Sequence, residues 1–104
     1  MAETKKIENY VLYQGRPLIK NGQSMVYGSF KEAAYADMIV MSETEEKAAD
    51  GSTVMVPGMI MVTIKSTGAD QKILRPQDFK NGLYETLEYS ITQIEFFNKK
   101  LAKN

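Results

Sequence analysis

Residues 83–102 read LYETLEYSITQIEFFNKKLA, the longest regular pattern in the chain. The apolar side chains recur at spacings of three and four, which places them on one face of an α-helix. This stripe comprises Leu83, Leu87, Ile91, Ile94, Phe97 and Leu101. Glutamates near the start and lysines near the end interact favourably with the helix dipole, and Asn81 is a suitable residue for the N-cap. We therefore predict one long amphipathic helix over residues 83–102.

The strongest signal ahead of this helix is the dipeptide Asn21-Gly22 between two apolar runs. Asn-Gly in this setting is typical of a β-hairpin, because a type I′ turn needs positive φ at both central residues. With these two residues as the loop, Lys20 is expected to face Gln23. Side chains alternate along a strand, so the register places one set on a single face of the sheet. That set comprises Arg16, Leu18, Met25 and Tyr27.

The remaining chain is expected to alternate between strands and connections. Strand-forming residues are concentrated in three further runs, with a short fourth candidate: residues 9–14, 35–42, 53–65 and 71–74. The run over 53–65 is expected to break or bulge at Pro57-Gly58. Connections are expected over the charged segment 43–52, as an exposed loop, and over residues 76–82, as a single helical turn.

A run of strands followed by one helix indicates an α+β fold. We predict an antiparallel sheet of about five strands, packed on one face by the C-terminal helix. A length of 104 residues fits a single domain over residues 1–104. Residues 1–6 are expected to form a flexible tail.

The composition excludes several kinds of chemistry. The chain has no cysteine and no histidine, which removes thiolate catalysis, the commonest zinc ligands and the usual general base. Lysine plus arginine equals aspartate plus glutamate at 13 each, whereas nucleic-acid-binding domains usually carry a basic excess. No catalytic motif, metal site, cofactor, nucleic acid or membrane is predicted. The polar N-terminus does not resemble a signal peptide, so the expected location is the cytoplasm.

Methionines are the most informative apolar residues, because one helix covers only one face of a sheet. In the 53–65 run the branched aliphatic residues alternate with methionines, and we expect the branched face to contact the helix. Four methionines then lack cover: Met55, Met59, Met61 and either Met38 or Met41. Either the sheet curls and covers its own second face, or a second copy covers it. We favour a small soluble, non-catalytic interaction module that forms a homodimer through Met41, Met55, Met59 and Met61; an unknown protein partner is a further possibility.

A different hypothesis is a small-molecule binding protein, or a small enzyme, with its site around Arg16. An arginine among tyrosines can hold a carboxylate or phosphate, and Tyr13 and Tyr27 are expected nearby. A carboxylate such as Asp37 or Glu85 would complete such a site. The same arginine could instead simply stack on a tyrosine ring.

Overall fold

The computed structural model describes residues 10–101, within which eight strands precede one helix. The elements are β1 (Tyr10–Tyr13), β2 (Arg16–Asn21), β3 (Ser24–Tyr27), β4 (Ala34–Val40), β5 (Glu43–Lys47), β6 (Thr53–Pro57), β7 (Met59–Ser66), β8 (Ile73–Asn81) and α1 (Leu83–Lys100). The flexible tail predicted over residues 1–6 lies outside the described residues.

Six of the strands form one antiparallel sheet in the order β1-β2-β3-β4-β7-β8. Strands β5 and β6 pair only with each other and form a two-stranded ribbon, inserted in the chain between β4 and β7. Helix α1 packs on β4, β7 and β8. The predicted α+β class, with an antiparallel sheet and one C-terminal helix, is confirmed, and the sheet has six strands where about five were expected.

The predicted hairpin between β2 and β3 is present, but its register differs by two residues. Asn21 pairs with Ser24, so Gly22 and Gln23 form the loop and Lys20 faces Met25. Only Gly22 has a positive φ, 64°, at the first central position, as in a type II′ turn, where glycine is strongly favoured. A shift of two residues leaves every side chain on its predicted face.

Two predicted connections are strands instead. Residues 43–47 of the expected acidic loop form β5, which pairs residue by residue with the valine-rich β6. The segment expected as a helical turn belongs to β8, where Pro76 is tolerated because β8 is an edge strand. The break predicted at Pro57-Gly58 is confirmed as the junction of β6 and β7.

Helix α1 follows the predicted stripe, apart from its two ends. The N-cap is Gly82, not Asn81 as expected. Its φ of 87° is a backbone conformation that glycine adopts more readily than other residues do. The Gly82 N–H donates to the carbonyl of Gly58, so the turn into the helix is tied to the start of β7. At the other end, Leu101 lies beyond the helix and is 47% exposed.

The hydrophobic core lies between α1 and one face of the sheet. As predicted, the branched side chains Ile60, Val62 and Ile64 of β7 face this core and are fully buried. Met38 of β4 is also buried here, which leaves Met41 on the other side. Two small residues also lie on the core face of the helix: Thr86 and Ser90 are fully buried and donate their hydroxyls to the carbonyls of Gly82 and Thr86.

Candidate functional site

Arg16 lies at the start of β2 on the core side of the sheet, where it forms a bidentate ion pair with Glu32. Its Nε donates to one carboxylate oxygen at 2.8 Å, and one terminal nitrogen donates to the other at 2.9 Å. The two side chains are 15% and 22% exposed. A bidentate, largely desolvated pair is the strongest form of charge-assisted hydrogen bond.

Asn98, near the end of α1, completes this cluster. Its amide nitrogen donates to Glu32 at 2.9 Å, and its amide oxygen accepts from the backbone N–H of Ala33 at 2.8 Å. The hydroxyl of Thr67 donates to the Glu32 carbonyl. We call Arg16, Glu32 and Asn98 the clasp, because they join β2, the β3–β4 connection and the helix.

The predicted tyrosines lie next to the clasp, and the Tyr27 side chain also interacts with Arg16. The fully buried Tyr27 hydroxyl donates to the carbonyl of Tyr13 at 2.7 Å, and the two rings meet edge to face. The Tyr13 hydroxyl donates to Glu88 of the helix at 3.2 Å. Burial raises the pKa of Tyr27, and partial desolvation together with Glu88 raises the pKa of Tyr13.

Arg16, Tyr13 and Tyr27 lie together as expected, but the guanidinium of Arg16 is already paired with Glu32. An anionic ligand would have to displace Glu32, whose pKa is held below its usual range chiefly by Arg16. Asp37 and Glu85, the carboxylates suggested by the sequence, are elsewhere: Asp37 pairs with Lys65, and Glu85 lies in the first turn of α1. The clasp is therefore best explained as a structural connection.

The clasp predicts a specific pH dependence of stability. Because the pKa of Glu32 is lower in the folded chain, its ionised form stabilises the fold above the ordinary value of 4.5 and loses this effect as pH falls below it. We expect Glu32→Gln to be less stable than the parent at pH 7 and nearly equal to it at the lowest pH. Urea unfolding from pH 7 to about pH 3 measures the difference. A difference that is independent of pH would contradict this role.

The second candidate is the sheet face that α1 does not cover. Five apolar side chains lie next to one another there. In the sheet, Ile39 is paired with Met61, and Met61 is paired with Phe79. The backbone N–H of Met41 donates to the carbonyl of Met59. Four of the five residues are 39–52% exposed, and Met61 is half-buried. We call this set the open patch: Ile39, Met41, Met59, Met61 and Phe79.

The described chain does not cover the open patch by curling of the sheet. The patch occupies the half of the sheet nearest the ribbon, and the Asp37–Lys65 ion pair, at 2.9 Å, occupies the same face of the other half. Of the methionines predicted for an interface, Met41, Met59 and Met61 are therefore adjacent. Met55, also exposed, lies on the ribbon instead.

The ribbon extends beyond the patch, and its faces can be assigned from a cleft at its base. This cleft, of about 500 Å³, separates the ribbon from the start of α1 and is lined on the ribbon side by Glu46 and Val56, and by Pro57 at the very base. Neighbouring residues point to the opposite face of a strand. Glu45 and Met55, which are directly paired, alternate with Glu46 and Val56 and therefore point to the face opposite this cleft.

Sequence reasoning missed Glu32 and Asn98, because they lie in a connection and on the flank of the helix stripe, where no local pattern distinguishes them.

Among the described residues, no helix is long and apolar enough to span a membrane. Comparisons with protein family models, curated proteins and solved structures found no match to this chain.

Proposed function

We propose that this chain is a non-catalytic assembly module that forms a homodimer through the open patch. The observation that carries the proposal is the contiguous set of exposed apolar side chains on the uncovered sheet face. Contiguous exposed apolar patches usually mark interaction surfaces. The zero net charge of the chain adds little repulsion between copies. The proposed location is the cytoplasm, since a chain without cysteine needs no oxidising compartment.

The edges of the sheet are less suitable for self-association than this face. Edge strand β8 contains Pro76, which lacks an N–H, and the charged residues Asp78 and Lys80. Both features discourage pairing with another strand. The other edge, β1, comprises four of the described residues. Methionines on the face, by contrast, are flexible and adapt readily to a partner surface.

The test is the oligomeric state of a matched pair of variants. Met59→Gln/Met61→Gln keeps side-chain size and adds no charge, and it removes apolar surface from the centre of the patch. We expect the parent to have twice the 11.7 kDa mass of the chain by size exclusion with light scattering. The variant should dissociate at least about tenfold more readily, because each methionine contributes roughly 1 kcal/mol or more when buried.

The control is Tyr84→Gln, which replaces a residue that is 71% exposed on the outer surface of α1. This change should leave the dimer intact, and circular dichroism should show that both variants remain folded. A parent that stays at 11.7 kDa at every concentration tested would refute the proposal.

A further inference from the structure

We infer that the β5–β6 ribbon is an arm that lies over the basic end of a second copy, in a two-fold dimer whose paired sheets run antiparallel. This inference rests on the proposed homodimer and specifies its geometry. It follows from the size of the open patch, the distribution of charge and the length of the ribbon.

The open patch alone is too small for a stable dimer. A patch of a few hundred Å² falls below the roughly 800 Å² that each partner of a standard interface buries. The ribbon is a neighbouring element with much unburied surface: all five residues of β5 are exposed, as are Val54 and Met55 of β6. Beyond its base the ribbon packs mainly on itself, and an isolated two-stranded hairpin is marginally stable in water. Contact with a partner would supply the missing burial.

Charge distinguishes the two ends of the molecule along the strands. At the ribbon end, residues 43–52 include four acidic side chains and one lysine. At the opposite end, Lys65 and Lys72 pair with Asp37 and Asp70, and Arg75 packs against the helix. The excess of positive charge at this end comes from Lys31 and from the lysines in the last turn of α1. We call Lys31 together with residues 65–75 the basic end.

These charges select one of the two ways in which a two-fold axis can relate packed sheets. An axis along the strands places the acidic ribbons of both copies side by side, where like charges repel. An axis across the strands places each ribbon over the basic end of the other copy. Like-charge contacts are costly and opposite charges steer association, so the second arrangement is favoured.

The dimensions and side chains of the two surfaces agree with this arrangement. With the axis through the open patch near Ile60, Lys65 lies five residues, about 17 Å, toward one end, and Met55 lies five residues, about 17 Å, toward the tip of the ribbon. Each surface then presents one charged and one apolar residue side by side. These pairs are Glu45 with Met55 on the arm, and Lys65, which also pairs with Asp37 on the same face, with Ile73 on the basic end.

Charge reversal tests the inference. The arm variant is Glu43→Lys/Glu45→Lys, and the end variant is Lys31→Glu/Lys72→Glu; all four positions are exposed. At about 0.01 M salt, where charges act over roughly 30 Å, each variant alone should dissociate about tenfold more readily than the parent. An equimolar mixture should form heterodimers with parental affinity, because both arm contacts then join opposite charges. At about 1 M salt the differences should disappear.

Sedimentation equilibrium gives the dissociation constants, and native mass spectrometry identifies the heterodimer in the mixture. If the parent dimer depends on Met59 and Met61 but neither charge variant weakens it at low salt, the homodimer stands and the arm contact is refuted. Weakening of both variants without recovery in the mixture also refutes it, since the charges then meet something other than each other. A monomeric parent refutes both the dimer and the arm.

Discussion

Leu87→Ala should lower the free energy of unfolding by about 2–5 kcal/mol, the range seen when buried leucines are truncated. Leu87 is 3% exposed and packs in the single core between helix and sheet. The loss includes both the transfer of the removed methyl groups and the cavity that remains. Because domains of this size are stable by about 5–15 kcal/mol, one such change removes a large share. Urea unfolding at pH 7 measures the effect.

Leu101→Ala provides the matched control, because Leu101 belongs to the same sequence stripe. It is 47% exposed and lies past the last residue of α1. We expect this change to cost about 1 kcal/mol or less. Equal losses for the two leucines would mean that the end of the helix stripe is buried as the sequence pattern implies, and would contradict the packing described above.

Arg16→Met should lower the free energy of unfolding by about 2 kcal/mol. Removing one partner of a buried ion pair costs about 3–5 kcal/mol, and the partial exposure of Glu32, 22%, reduces the penalty because water reaches its carboxylate. Methionine keeps much of the packing of the arginine stem, so the measured loss reports mainly on the unpaired carboxylate. Chemical denaturation at pH 7, where Glu32 is ionised, is the appropriate measurement.

Two comparisons make this prediction specific to the clasp. Arg75→Met changes the other arginine of the chain, which is exposed and contacts Gln93 and two phenylalanine rings, and it should cost at most about 1 kcal/mol. The double variant Arg16→Met/Glu32→Gln should be more stable than Arg16→Met alone, because no charge is left unpaired. Strictly additive losses would show that the two side chains do not act together.

Much of the fold could be predicted because its signals are local. The helix stripe depends on spacings of three and four, and the shared face of Arg16, Leu18, Met25 and Tyr27 depends on the two-residue period of a strand. A register error of two residues did not disturb that face. The separation of branched aliphatic from methionine faces on β7 followed from the same alternation and is confirmed for Ile60, Val62 and Ile64.

Strand β5 could not be predicted, because glutamate is a poor strand former and residues 43–47 have no apolar alternation. They become a strand because β6 supplies backbone partners along their whole length. The start of strand β8 falls within the short strand expected over 71–74, but its continuation past Pro76 is a similar case, since pairing with β7 outweighs the turn signal of Pro76. In both segments hydrogen bonds to a neighbouring strand outweigh local propensity.

The sequence by itself therefore determined the α+β class, the helix, the two faces of the central strands and the presence of an uncovered methionine surface, since each depends on periodicity along a short segment. Only the tertiary structure decided that Glu32 pairs with Arg16 while Asn98 binds Glu32, and that Met41 rather than Met38 joins the open patch. It alone also set the ribbon apart from the sheet. These outcomes depend on contacts between residues far apart in the chain, and such contacts follow from how the elements pack rather than from any local pattern.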